Sequence, residues 1–571
     1  MHGQQAARCV DIRGSRGDHG LMARAMFLAA LWLAGAQSAS GQALSVLRIK
    51  IVVLDAERKP MPVPRHVLLI SDNPTTAPPR QVITALDGTA EIRLRPGNYT
   101  VESDRPVVFQ GKTYGWTRML DIVAGRDATL ELTADNADAD TVAASAAGPD
   151  APAETDPAFL LLQWQDSVVS LWTPTAFASG FVIDARGLVA TSQRVIGSAT
   201  SLEVQLSPAV KVAAKVLEAD AERDVAILWI DPAAVGAVRP VPLGCAQAAK
   251  PPVAGGQAVF AIDMPFRAQK GMASGTVSRV EPRSISADLR LSQGSAGGPV
   301  FTASGATVGI STVEDDRSSI KRAASRVVPV AAACEVVASA EKKMKDASPP
   351  DGAHLPVEPA RPFSLNALKE TVQGRAGSLN PYQVSSVEFD INFITPVSIY
   401  GAKYQAEQAS GRSRGSGARP ADVQPAMVRP VLEFANWSEY VADFPPVLLV
   451  RVTPKLVENF WTTVARGAAM TQGMSIPSIK RAKSGYARMR AFCGEAEVTP
   501  IHPFKLEQRV TERDVIYEGL SVFDPGALSP ECGAVKLVLY SDKQPEKPDT
   551  LVVDPGVLQQ IWRDFAPYRG L

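Results

Sequence analysis

Residues 291–301 read LSQGSAGGPVF. Gly294, Gly297, Gly298 and Pro299 frame a tight loop with Ser295 and Ala296 at its centre. Three other segments share this stretch of chain: ASGFVIDARGLVATSQRVI (Ala178–Ile196), DAERDVAILWI (Asp220–Ile230) and ASGTVSRV, which contains Gly275. One glycine-rich string constrains little. Several such strings, in a fixed order and at workable spacing, constrain the fold of the whole region.

The order and the residues resemble the trypsin-like serine proteases, most closely their HtrA/DegP-like branch. Ser179, Gly180, Phe181, Val182, Ile183, Gly187, Thr191 and Val195 match the first family segment. Asp224 falls at the catalytic aspartate position, Gly275–Ser278 match a Gly–x–Val–Ser step, and Asp288 matches the aspartate eight residues before the nucleophile. Gly309 and Ile310 match the strand that closes the substrate pocket. The resemblance implies a trypsin-like double β-barrel over 158–343. It implies an oxyanion-hole loop at Gly294, Ser295, Ala296 and Gly297, and a peptide-binding strand at Ser311, Thr312 and Val313.

The same alignment removes the chemistry. Acyl transfer needs a hydroxyl nucleophile, an imidazole base and a carboxylate that orients the base. The triad-equivalent positions are Arg194, Asp224 and Ala296. Arginine stays protonated and accepts no proton at neutral pH. The five histidines are His2, His19, His66, His354 and His502, so 158–343 contains none. Ser295 is adjacent to the nucleophile position, but neighbouring side chains on a tight loop point in different directions, and no base accompanies it. Arg194 is expected to pair with Asp224, because a buried carboxylate that has lost its histidine needs another cation.

The rest of the chain sets the context. With 571 residues, it is long enough for about three or four domains. Its 59 basic and 59 acidic residues cancel, which argues against a general nucleic-acid binder. Residues 22–43, MARAMFLAALWLAGAQSASGQA, read as a signal peptide, its apolar run shorter than the about 20 residues a membrane span needs. An uncleaved anchor is the alternative, and translation starts at Met1 or at Met22. Without Cys9, which leaves with the leader, Cys245, Cys334, Cys493 and Cys532 remain. Four cysteines allow three pairings; the regional grouping favours Cys245–Cys334 and Cys493–Cys532. Their spacing is not that of a zinc site, no metal or cofactor is implied, and oligomeric state stays open.

The expected architecture is a mainly β multidomain chain: leader 1–43, β-sandwich 44–135, linker 136–157, protease-like domain 158–343, linker 344–362, and an α+β domain 363–571. PGNYTV in the first domain resembles transthyretin-like or carboxypeptidase-regulatory-like sandwiches, and RMLDIVAGRDATLELT is expected to close that domain as a hairpin. In the last region VEFDINFITPVSIYG, PPVLLVRVTP and AVKLVLYSD read as strands, TPKLVENFWTTVARGAA and PGVLQQIWRDFAPY as helices. SGRSRGSGARP reads as a loop, Arg488 and Arg490 as a solvated strand face, and Trp437 and Trp461 as core. No PDZ-like sequence follows the protease-like region, unlike the HtrA branch. The functional expectation is an exported pseudoprotease of the cell envelope that holds extended polypeptide or serves as a scaffold. The alternatives are an active endopeptidase with a non-standard base and a purely structural envelope protein.

Overall fold

Ser45–Leu54 alternates buried and exposed side chains, as a strand with one face on a core must. The computed structural model describes residues 44–55, 57–138, 156–174, 177–236, 238–248, 250–264, 270–291, 294–312, 325–373, 382–412, 444–458, 480–509 and 515–569. The described chain divides into two compact units.

The first unit holds two four-stranded sheets. In one, Ser45–Leu54 pairs antiparallel with Pro60–Pro62 and Thr89–Leu94, and parallel with Ala128–Thr133. The other runs Arg80–Ile83, Val67–Asp72, Gly97–Ser103, Thr117–Ile122. Leu47, Ile49, Ile51, Leu68, Ile70, Val101 and Trp116 are buried. The expected hairpin over 118–133 is corrected: Thr117–Ile122 pairs with Gly97–Ser103, and Ala128–Thr133 crosses to the other sheet. Alternation marked both strands but could not name their partners.

In the second unit a short helix α1 (Ala158–Trp164) precedes two closed barrels. The first barrel contains β1 (Val168–Trp172), β2 (Phe177–Val182), β3 (Leu188–Thr191), β4 (Ser201–Ser207), β5 (Val210–Asp220) and β6 (Val225–Trp229). The second contains β7 (Ala258–Asp263), β8 (Gly271–Glu281), β9 (Ser284–Ala287), β10 (Pro299–Thr302), β11 (Thr307–Thr312) and β12 (Ser325–Pro329). The strand orders, β1-β2-β3-β6-β5-β4 and β7-β8-β9-β12-β11-β10, are the same topology used twice. Each barrel has its own aliphatic core, Val169, Leu171, Val204 and Leu228 in one and Val259, Ile285, Val300 and Val327 in the other. A closed barrel leaves no open sheet edge.

Helix α3 (Val330–Met344) follows β12 and packs on β5, β6 and β11, so it spans both barrels. Cys334 on this helix is bonded to Cys245 between the barrels, and Glu335 pairs with Arg223. Lys343 and Ser339 both reach Glu218, and Arg186 reaches Glu341.

The segment after α3 lies along the first barrel. His354 forms a bridge with Val212, and Leu355 N–H donates to Lys211 O at 2.8 Å. It leads to a five-stranded antiparallel sheet: β13 (Tyr382–Ser385), β14 (Phe389–Ile394), β15 (Leu448–Pro454), β16 (His502–Arg509) and β17 (Val515–Phe523), in the order β13-β14-β15-β17-β16. A second sheet is made of Ala496–Val498, Tyr486–Cys493, Val535–Ser541 and Asp549–Val552, with Cys493 bonded to Cys532. Helices α4 (Leu365–Gln373), α5 (Pro396–Arg412) and α6 (Pro555–Asp564) complete this α+β part.

Two sequence expectations change here. VEFDINFITPVSIYG is a strand only to Ile394, and Pro396 opens α5. TPKLVENFWTTVARGAA begins with the end of β15 and the strand Leu456–Glu458, and its remainder lies outside the described residues. Arg488 and Arg490 sit on an accessible strand face, as expected, Arg488 over the Tyr540 ring at 4.2 Å and Arg490 paired with Glu497. Trp437, Trp461 and most of SGRSRGSGARP also fall outside the described residues, as does the leader. Among the described residues no helix is long and apolar enough to cross a membrane.

Candidate functional site

Asp224 sits in the turn from β5 to β6 with φ +55°, a left-handed conformation uncommon for a residue other than glycine. It is 1% exposed. Three donors hold its carboxylate there. Ser192 Oγ donates to Oδ1 at 2.6 Å, the Arg194 N–H donates to Oδ1 at 3.0 Å, and Thr312 Oγ1 donates to Oδ2 at 2.7 Å. Hydrogen bonds of this kind satisfy a buried carboxylate without a second full charge.

Arg194 lies in the short helix α2 (Gln193–Ile196) that follows β3. Its Nε lies 3.7 Å from Asp224 Oδ2, and its side chain is 44% exposed against 2% for the aspartate. From the sequence, Arg194 was the one partner expected to neutralise Asp224. In the structure neutral donors hold the carboxylate, and Arg194 adds a looser ion pair facing solvent. Ser192 was missed in the sequence, because a hydroxyl two residues before Arg194 has no signature of its own.

The loop Gly294–Gly298 is pinned on both sides. Ser179 N–H donates to Ala296 O at 3.0 Å, and Ser179 Oγ donates to Gly294 O at 2.8 Å. Gly297 N–H donates to Ser311 O at 2.7 Å, and Ser311 N–H donates to Gly298 O at 2.9 Å. Gly297 has φ +93°, and a Cβ there would lie 2.2 Å from both Ser179 O and Thr191 Oγ1. Only glycine fits that turn between the barrels.

Ser295 is fully buried, and its Oγ accepts from Met264 N–H at 2.8 Å. Its hydroxyl is a fastener of the loop. Ala296, half-buried, occupies the adjacent position with a methyl group.

The expected peptide-binding strand lies at the end of β11. Ser311 is 1% exposed, and both of its backbone groups are used by the Gly297–Gly298 turn while it pairs with Val327 of β12. Thr312 is equally buried, and its hydroxyl serves Asp224. Val313 lies outside the described residues.

On the opposite flank, Phe177 covers the loop: a Cβ at Gly294 would meet its ring at 2.5 Å. Phe177 packs on Trp172 with ring centroids 4.7 Å apart. Trp172 in turn stacks on His502 of β16 at 3.8 Å. Trp172 and Phe177 belong to the same apolar core as the C-terminal strands. Lys505 N–H donates to Pro174 O at 2.6 Å, which joins β16 to the β1–β2 turn. A cleft of ≈ 300 Å³ opens beside this contact, lined among others by Trp172, Glu203, Leu355, His502 and Phe504.

Beneath that cleft is a charged cluster. Lys211 Nζ, fully buried, donates to Glu203 Oε2 at 2.9 Å and also to Ile501 O. His502 lies 3.9 Å from Glu203 and 3.5 Å from Glu358. Burial pushes the Glu203 carboxyl above its ordinary range, opposed by the Lys211 charge. Burial likewise pushes Lys211 below its ordinary value, opposed by Glu203. His502 and His354, the histidines described in this unit, are thus placed at the domain contact and at Val212.

Residues 178–310 match the family described as Trypsin-like peptidase domain. The chain is 34% identical over 154 residues to Protease Do-like 1, chloroplastic, of Arabidopsis thaliana, covering 25% of this chain and 34% of the relative. It is 32% identical over 169 residues to a probable periplasmic serine endoprotease DegP-like of Ectopseudomonas mendocina, covering 28% and 34%. Among solved structures, the serine endoprotease from Yersinia pestis is 22% identical with a TM-score of 0.29, covering 34% of this chain and 68% of that one. The HtrA-type protease AlgW with tripeptide is 23% identical with a TM-score of 0.28, covering 32% and 63%. The chain thus spans about a third of the length of the curated relatives it matches. The matched residues take in β2 to β10 and most of β11, with Arg194, Asp224 and the Gly294–Gly298 loop among them, and this double-barrel region is similar to the trypsin-like peptidase domain of HtrA/DegP-like proteases.

Proposed function

We propose that this chain is an exported, non-catalytic member of the trypsin-like group that binds polypeptide at the remodelled protease site. The observation that carries the reading is the commitment of Asp224. In the triad the aspartate orients an imidazole. Here its two oxygens receive Ser192, Thr312 and the Arg194 N–H, with the Arg194 side chain where a base would stand. Position 296 has no hydroxyl, and the hydroxyl of Ser295 is buried against Met264. Loss of nucleophile and base together costs about 10⁶-fold in turnover in a comparable triad. The relatives are named as serine endoproteases, whose substrates are polypeptides, so a retained site favours that ligand class. Two disulfides suit an oxidising compartment, in keeping with export.

The test is labelling of the whole protein with a fluorophosphonate, read by mass spectrometry. No serine between 158 and 343 should be modified. Stoichiometric modification of any of them overturns the non-catalytic reading in favour of an active endopeptidase.

A further inference from the structure

We infer that the remodelled site is a carboxylate-binding site that takes the free C-terminus of a polypeptide, with Arg194 as its principal ligand-contacting residue. This rests on the polypeptide-binding reading above and names what part of the polypeptide the site takes.

Three features converge on it. The first is charge. Asp224 is buried and already held by three hydrogen bonds, whereas the Arg194 side chain is 44% exposed and touches the aspartate through Nε at 3.7 Å. The two terminal amino groups of the guanidinium extend beyond Nε. They form a planar fork suited to a carboxylate. The positive end of the pair faces outward and its negative end faces the protein interior.

The second feature is the loop. Among the described residues nothing accepts a hydrogen bond from the N–H of Gly294 or of Ala296. Their carbonyls, in contrast, are taken by Ser179. The loop is tied to the Asp224 cluster through Ser311 and Thr312, so Arg194 and these N–H groups border the same locality. Backbone N–H groups beside a cation make an anion site, and a chain-terminal carboxylate is the anion every polypeptide carries.

The third feature is a stop. The Gly294 side of the loop is closed by the Phe177 ring, which a Cβ at Gly294 would meet at 2.5 Å. Phe177 is backed by Trp172, which is 8% exposed and stacked on His502. Moving Phe177 would disturb the core shared with the C-terminal sheet. A chain that ends at the loop needs no such movement. The blocked path and the exposed guanidinium select a chain end over an internal segment.

The experiment measures fluorescence polarisation of two hexapeptide pools, randomised at their last four positions and identical except for a free acid or an amide at the C-terminus. The acid pool should bind at least about tenfold tighter, the scale of a charge-assisted contact. Arg194→Gln should abolish that difference with an unchanged melting temperature, since Asp224 keeps its three donors. Arg194→Lys, which retains charge but not the fork, should keep only part of the preference; if Arg194→Gln fails to fold, a preference reduced in Arg194→Lys supports the inference and an undiminished one overturns it. Equal binding of acid and amide, or a preference that survives both substitutions, overturns the carboxylate inference and leaves polypeptide binding standing. Failure of both pools to bind at about 1 mM, weaker than a few kcal/mol of affinity, overturns both readings together.

Discussion

Trp172 of the first barrel stacks face to face on His502 of the C-terminal sheet, with ring centroids 3.8 Å apart and planes inclined by 27°. One residue is at the end of β1 and the other begins β16, yet they share one apolar core. The protease-like barrel and the α+β part therefore contribute to each other's stability.

Trp172→Ala removes the largest side chain of that contact. A buried Trp→Ala change costs about 3–5 kcal/mol. The expected result is a lower urea midpoint for the transition of both parts together, followed by tryptophan-independent far-UV circular dichroism. An unchanged midpoint would mean that the stacking contributes nothing.

Gly297→Ala tests the turn between the barrels. Its Cβ would sit 2.2 Å from Ser179 O and Thr191 Oγ1 at φ +93°, so strain and clash act together. The expected loss is about 4 kcal/mol, in the range reserved for severe local conflicts. Ala296→Gly, one residue earlier, removes only a half-buried methyl group and serves as the comparison in the same thermal melt.

Lys270 supplies a pH dependence. Burial draws its ammonium down to about 8, opposed by Asp166, while Nζ donates to the carbonyls of Gln165 and Val168. The unfolded chain then holds more protons than the folded one between about pH 8 and the ordinary lysine value of 10.5. Stability therefore contains a deficit below pH 8 that disappears as pH rises toward 10.5. Denaturant midpoints across that window should show a rising component in the wild type that Lys270→Met lacks.

The double substitution Arg194→His with Ala296→Ser returns an imidazole and a hydroxyl beside a carboxylate that already receives Thr312. Fluorophosphonate labelling should appear at position 296 in the double variant and stay undetectable in either single one, because nucleophile and base act as a unit. Labelling of Ala296→Ser alone would show that a base other than position 194 is present.

Cys334→Ser opens a loop closed over a sequence separation of 89. On the chain-entropy estimate this costs about 4.6 kcal/mol. The thermal midpoint of the barrels should fall accordingly, and reduction of the wild type should reproduce the shift.

The double barrel was legible because its turns demand particular residues. Gly309, where a Cβ would meet Val328 O at 1.9 Å, and Gly297 leave few alternatives, and such positions show in a bare sequence. The residues on which the non-catalytic proposal rests, Arg194 and Ala296, are read directly from the sequence. Pairing partners were not. The strand at 128–133 alternates as a hairpin arm would, yet runs parallel to Ser45–Leu54, a partner that alternation alone does not name. The contact of Thr312 with Asp224 was not legible for a similar reason: its place on β11 was evident, but that its hydroxyl meets Asp224 depends on barrel closure. Contacts between Trp172 and His502 leave no trace in local periodicity.

The segment between the barrels and the C-terminal sheet is more than a tether. His354 bridges Val212 and Leu355 donates to Lys211, so the connecting chain lies on the surface of β5 before it departs. This bears on how far the protease-like region is a portable module. Excised at residue 343, it would lose a neighbour along β5 and uncover Trp172 and Lys211, one apolar and the other a charge whose partners include Ile501. A transplanted double barrel would need replacements for all three.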